Sequence, residues 1–520
     1  MSLREIIADQ GRKVLSNPII LKWSTDDRVK RAAESVFDMR SRAQEAWSIL
    51  LNGHALPAID PALDDSIGQT EEQFTRSRAA ERAPNGSNGN NKAASVVAQD
   101  ARGSDDMDES LKERGTIASL GGRDVFQKCG QFKAADNARK MGIYPYFRAL
   151  DFNDGPEAQI DGKRVTMFGS NNYLGLTTHP KVREAARSAI DRFGTSMTGS
   201  RLVNGSMRLH EEFEEKLAAW FGKESALVFT TGYQVNLAVC SALLSNRKCV
   251  AVVDRNIHAS LYDGVRLGQA AGARLVRYRH NDAESLERAL EKLDADEGAL
   301  VITDGVFSAE GEIARLDRIV PVVKKFGARM LVDEAHALGV VGPGGRGTPY
   351  HFGIADEIDL IGGTFSKSLA SIGGWLVGDR KTLDYIRHFA PSFMFAASAA
   401  PPSVAAAMAA FDVMQEETWR IDRLRENFTY MRHELRNMGF ELGHTETAVI
   451  PIFVRQDLRT MMMWRDLLEE HSIYTNPFIT PGVPPKSAML RTSYMATHEE
   501  VHLDRALDAF YKVGKKYSVI

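Results

Sequence analysis

The chain has 520 residues, 43% of them hydrophobic and 26% charged, which is ordinary for a globular protein long enough to hold more than one domain. Its net charge of −3 lacks the basic excess of a nucleic-acid binder, and no apolar run is long enough to span a bilayer. Cys129, Cys240 and Cys249 are too few and too scattered for a disulfide framework or a metal-ligand spacing, so a reducing, cytoplasmic setting is expected.

The opening MSLREIIADQGRK carries no signal-peptide core. Residues 2–51 read as helical. Ser24 followed by Asp27 resembles a capping box, and Val29, Ala33, Val36, Phe37, Ala43, Trp47 and Leu50 recur at helical spacing before Gly53. This predicts an N-terminal helical extension over 1–60. Residues 61–115, with APNGSNGNNKAAS inside them, hold turn formers and almost no core residues, the pattern of a flexible linker. An N-terminal arm is expected over 116–165. From about 160, apolar β-branched runs at 226–230, 249–253, 299–303, 329–333 and 359–361 are separated by amphipathic helical stretches such as 284–293 and 316–326. That alternation predicts an α/β fold with a mostly parallel sheet covered on both faces, as a large domain over 166–390. The Ala-rich helical and then strand-bearing remainder predicts a smaller α+β C-terminal domain over 391–520.

Ligands of such sheets bind outside the carboxyl ends of the strands, and the chemistry-bearing residues fall there. Asp333 closes the apolar strand RMLVD, where a carboxylate is unfavourable unless paired. His336 follows three residues later. Lys367 stands among Thr364, Ser366 and Ser368 in GGTFSKSLASIGG. Gly232 and Tyr233 open a helix after LVFTT, where free N–H groups and the helix dipole favour a phosphate. An amine, a carboxylate and phosphate-sized donors are what pyridoxal 5'-phosphate (PLP) requires. The amine bonds the aldehyde, the acid keeps the pyridine nitrogen protonated, and the donors grip the phosphate. His258, in DRNIHAS, is flat enough to stack on a pyridine ring. Arg491 can pair bidentately with a substrate carboxylate, and Asn172 can bond the same group. No metal site is expected.

Seven separated motifs stand in one order: FGSNNYLGLTTHP (168–180), GTSMTGSRLVNGSMRLHEEFE (194–214), FTTGYQVN (229–236), DRNIHAS (254–260), TDGVFSAEGEIARL (303–316), VDEAHALGVVGPGGRG (332–347) and GTFSKSLAS (363–371); LRTSYMATHE (490–499) follows. Over roughly 140–515 they resemble the α-oxoamine synthase family of fold-type I PLP-dependent transferases. The resemblance implies that Lys367 is the Schiff-base lysine, that Asp333 binds the pyridine nitrogen and His336 the phenolic oxygen, and that His258 stacks on the ring. It implies that Gly232, Tyr233, Thr364 and Ser366 surround the phosphate, and that Asn172 and Arg491 hold the amino-acid carboxylate. It further implies a homodimer. The family takes a phosphate-binding hydroxyl from the partner subunit in the segment matching FAASAAPP (395–402), where Ser398 is the only hydroxyl.

TTGYQVN and GTFSKSLASIGG look most like the branch that condenses L-serine with palmitoyl-CoA to give 3-ketodihydrosphingosine, the first step of sphingolipid synthesis. Lys367, His258 and Asp333 would be catalytic. A sister synthase using glycine or alanine with an acyl-CoA or acyl carrier protein donor is the near alternative, and an aminotransferase a further one. A non-catalytic partner subunit would lack the lysine. A long-chain product leaves into a membrane, so contact with an inner membrane face is part of the expectation.

Overall fold

The computed structural model describes residues 123–520. The helical extension over 1–60, the linker over 61–115 and the first residues of the arm lie outside the described residues.

Fourteen strands are described. They are β1 (Phe152–Asp154), β2 (Glu157–Ile160), β3 (Lys163–Met167), β4 (Ser225–Phe229), β5 (Cys249–Asp254), β6 (Arg274–Tyr278), β7 (Gly298–Asp304), β8 (Arg329–Asp333), β9 (Leu360–Thr364), β10 (Gly374–Gly378), β11 (Val449–Phe453), β12 (Ile473–Tyr474), β13 (Asn476–Phe478) and β14 (Met489–Ser493). Seven form one sheet in the order β4-β10-β9-β8-β7-β5-β6. Only β10 runs against its neighbours β4 and β9; the other pairings are parallel. The α/β, mostly parallel architecture is therefore as expected.

The side-chain period of two sorts each strand between the faces. On one face lie Val228, Val252, Val301, Val332 and Ile361. On the other lie Leu227, Val253, Ile302, Leu331 and Leu360, with Val235 and Val239 of helix Gly232–Leu243 and Leu261 and Val265 of helix Ala259–Ala270. All are nearly fully buried, and each contributes about 1.5–3 kcal/mol of apolar transfer. Continuing the alternation to the strand ends puts Asp304, Asp333 and Thr364 on that second face, toward the starts of those two helices. This parity is what gathers the site.

Arg491 comes from elsewhere. Strands β11, β14 and β13 form a separate antiparallel sheet in which Arg491 faces Pro451 and Asn476 in register. The short β12 extends the β1-β2-β3 sheet in parallel, pairing Ile473 with Thr166 and Tyr474 with Met167, so segments 300 residues apart in sequence share one sheet. Among the described residues no helix is long and apolar enough to cross a membrane, and Cys129, Cys240 and Cys249 are free.

Candidate active site

A cavity of about 350 Å³ opens at the carboxyl ends of the central strands, and Gly232, Asn236, His258, Asp304, Asp333, His336, Thr364, Ser366 and Lys367 line it. Its floor is a pair of acids. Asp304 and Asp333 are register partners across β7 and β8, and both are buried. Asp333 Oδ2 accepts from Asn236 Nδ2 at 2.7 Å and Oδ1 from the Ala335 N–H at 3.0 Å. Asp304 accepts the His258 N–H at 3.3 Å. Burial, and then the neighbouring Asp333, push Asp304 well above the carboxylate range, so Asp304 is driven to keep its proton.

Lys367 follows β9 in a tight turn whose Ala370 N–H donates to the Lys367 carbonyl at 2.9 Å; Ala370 takes a left-handed φ of 50°. Burial lowers the Lys367 amine from 10.5 to about 8; Arg491 adds to this, while Asp333 and Asp304 oppose it. An amine so placed is substantially unprotonated in mildly alkaline solution, as a nucleophile or base must be. His336 is driven well below its usual range by burial and then by the Lys367 and Arg491 charges, so it is neutral. The Tyr173 hydroxyl lies 2.7 Å from its Nδ1 and fixes the ring.

Opposite Lys367 the helix Gly232–Leu243 begins. Thr231 Oγ1 caps it by accepting the Gln234 N–H at 3.2 Å. The N–H groups of Gly232 and Tyr233 precede any intrahelical acceptor, and both residues line the cavity. Thr364 Oγ1 lies 2.8 Å from Ser366 Oγ and donates to the Gly373 carbonyl at 2.9 Å. A Cβ built on Gly232 would stand 2.7 Å from Thr364 Cβ, so only glycine lets helix and strand close into this cradle. Gly232→Ala is expected to weaken PLP binding at least about tenfold, roughly 1.4 kcal/mol, measured by titrating the apo protein. Tyr233 contributes its backbone here, because its hydroxyl donates to Asp263. The lysine, the acid and the phosphate-sized cradle around one cavity fit PLP.

Arg491 is buried and held in place: Nε donates to the Ser308 carbonyl at 2.6 Å and Nη1 to Asn171 Oδ1 at 3.1 Å and Ser493 Oγ at 2.8 Å. Its charge reaches Lys367, His336 and Tyr173. The structure brings Asn171, rather than the expected Asn172, against this arginine. Asn172 spends its amide on its own turn, donating to Thr177 Oγ1 at 2.9 Å and accepting the Leu176 N–H at 3.0 Å. Ser398 donates its N–H to the Gly199 carbonyl at 2.9 Å, and its hydroxyl is buried with no partner among the described residues.

Four residues of the site escape a reading of types and spacing: Asn171, Asn236, Ser260 and Glu334. Asn236 is one helical turn beyond Gly232, so the 3.6-residue period alone places it on the cavity side. Glu334 is fully buried behind Asp333, accepts the Thr348 N–H at 2.7 Å and the Thr348 hydroxyl, and fills the space a Cβ at Gly305 or Gly347 would need. Burial raises its carboxyl from 4.5 to about 8. The raised folded-state value means its stabilising proton is fully present below pH 4.5 and is lost as pH rises through 8. Glu334→Gln is therefore expected to match the parent near pH 4 and to exceed it by a margin that grows from pH 5 to pH 8 in urea denaturation. Glu334→Ala, which orphans the Thr348 N–H and leaves a void, should cost about 2–4 kcal/mol.

Known proteins similar to this chain point to the same cofactor class. A family model for class I and II aminotransferases matches residues 163–510, and the chain belongs to that family. The serine palmitoyltransferase of Sphingobacterium spiritivorum is 40% identical over 393 residues, covering 76% of this chain and 97% of the relative. An 8-amino-7-oxononanoate synthase of Thermoanaerobacter pseudethanolicus is 37% identical over 386 residues, 74% of this chain and 96% of the relative. Among solved structures, the Sphingomonas wittichii serine palmitoyltransferase matches with a TM-score of 0.73 at 35% identity, over 76% of this chain and 100% of that one. A structure described as SPT with PLP matches with the same TM-score of 0.73 at 34% identity. These relatives are α-oxoamine synthases, and within the larger family this chain stands with that group.

Proposed function

We propose that the protein is a PLP-dependent C-acyltransferase that condenses L-serine with a long-chain acyl-CoA, palmitoyl-CoA in the first instance, releasing carbon dioxide and free CoA and giving 3-ketodihydrosphingosine. The observation that carries the reading is the convergence of the Lys367 amine, the Asp333 carboxylate and the Gly232–Thr364 cradle on one cavity. The serine palmitoyltransferases among its relatives supply the substrate class.

Bound there, PLP would withdraw electrons from the amino acid's α-carbon. Asp333 is the residue to hold the pyridine nitrogen protonated, and His336, steadied by Tyr173, to meet the phenolic oxygen. Thr364, Ser366 and the amides of Gly232 and Tyr233 would hold the phosphate. Lys367 Nζ, with its lowered affinity for protons, would take the α-hydrogen. Arg491 would grip the substrate carboxylate. Asn171 is better placed than Asn172 to assist, because it already bonds the guanidinium. Holding the carboxylate fixes which bond to the α-carbon lies across the ring plane, and so which breaks first. His258, at the cavity wall, would donate to the thioester oxygen as the new carbon–carbon bond forms.

A homodimer belongs to this proposal. The arm exposes Phe126, Phe132 and Phe147 at 75%, 65% and 95%, an apolar surface that a second copy would cover.

The test offers single amino acids with palmitoyl-CoA and follows CoA release. Serine should support turnover, with glycine and alanine at least about tenfold lower in kcat/KM, a difference of roughly 1.4 kcal/mol. A preference for glycine or alanine, or release only from an acyl carrier protein donor, would move the chain to the sister synthases. Arg491→Lys should raise the KM for serine, because an ammonium cannot reproduce the bidentate fork.

A further inference from the structure

A buried chain of hydrogen bonds runs from Asp333 to the imidazole of His258. Asn236 is 3% exposed and Ser260 1%. The Asn236 Nδ2 group has two hydrogens and no lone pair to offer. It donates one to Asp333 Oδ2 at 2.7 Å and the other to Ser260 Oγ at 2.8 Å. Turning the amide over would set its oxygen against a carboxylate oxygen, so Asp333 fixes its orientation. Ser260 has a single hydroxyl hydrogen. With Asn236 already donating into its oxygen, that hydrogen has His258 Nδ1 to point at, 2.8 Å away. The Ser260 backbone N–H approaches the same Nδ1 at 3.3 Å as the helix Ala259–Ala270 begins. Two donors thus converge on one ring nitrogen, which must present a lone pair.

We infer that Asn236 and Ser260 are positioning residues that set the tautomer of His258, so that the neutral ring carries its proton on Nε2 and offers it to the cavity. The order is directional. The Asp333 carboxylate orients the amide, the amide orients the hydroxyl, and the hydroxyl selects the imidazole tautomer. The other charged or titratable groups facing the ring do not supply a competing acceptor for Nδ1. Asp304 takes the His258 backbone N–H, Asp263 takes Tyr233 and Arg266, and Lys367 is a donor. His258 therefore meets a substrate oxygen as a hydrogen-bond donor rather than as a base. This deepens the proposed function and rests on it only for what the Nε2 proton is used for.

The test is long-range ¹H–¹⁵N NMR on the full chain with ¹⁵N-labelled histidine, using His258→Gln to assign the signals. No substrate is added, so failure of the serine assay leaves this test intact. His258 Nδ1 should resonate as an unprotonated nitrogen and Nε2 as a protonated one. Ser260→Ala should shift both toward the averaged values of a tautomer mixture, and Ser260→Thr, which keeps the hydroxyl, should restore the parent pattern. The remaining histidine signals report that each variant is folded. A protonated Nδ1 in the parent chain would overturn the inference. So would an unshifted His258 in Ser260→Ala.

Discussion

Lys367→Ala should lower the condensation rate at least roughly 10³-fold, the loss expected when one side chain serves as both covalent anchor and general base. The lysine has no understudy, since among the described residues no other lysine lines the cavity. The variant should also lack the visible absorbance of the PLP-loaded parent while keeping its fold, because the amine contributes no core packing. The pH dependence follows from the same environment. An exposed lysine near 10.5 captures aldehydes ever faster up to pH 10 and beyond. An amine lowered to about 8 is already half unprotonated at pH 8, so the rate at which apo protein captures PLP should rise through pH 8 and level off above pH 9. A rate still climbing at pH 10 would show that the amine is not desolvated as described.

Asp333→Asn should cost roughly 10²–10³ in kcat/KM, the scale seen when one preorganised electrostatic partner is removed. The amide is the same size, so the loss reads charge rather than shape. It also has a structural signature. An amide at 333 presents a hydrogen-bearing nitrogen to one of two donors, Asn236 Nδ2 or the Ala335 N–H, and Asn236 is the side chain able to turn. Turning it takes the Nδ2 donor away from Ser260 and offers the hydroxyl an acceptor other than His258. The same substitution removes the negative charge that helps keep Asp304 protonated, so Asp304 should titrate lower than in the parent.

Much of this site is legible in the sequence because its residues sit at predictable points of a parallel α/β sheet. The strand RMLVD ends on Asp333, and a strand's period of two decides its face without further information. Lys367 and the Gly232 helix start are likewise fixed by local chain geometry. Other features depend on tertiary neighbours. Asn171 and Asn172 are chemically identical and adjacent; the turn that Asn172 closes through Leu176 and Thr177 decides which of them meets Arg491. Ser260 acquires its role only because Asn236, from another helix, arrives 2.8 Å away. Two strands of the seven-stranded sheet escape a hydrophobic reading for physical reasons. The edge strand β6 is RLVRY, whose arginines suit a solvent-facing rim and break the apolar run. β10 is GWLVG, only three large residues between glycines, and Trp375 needs the space that Gly363 leaves for it.

The most direct test of the account is to reduce the PLP-loaded protein with borohydride, digest it and locate the pyridoxyl group by mass spectrometry. One modified site is expected, Lys367, at full occupancy. A stable mark on any other lysine, or none on a protein saturated with PLP, would contradict it.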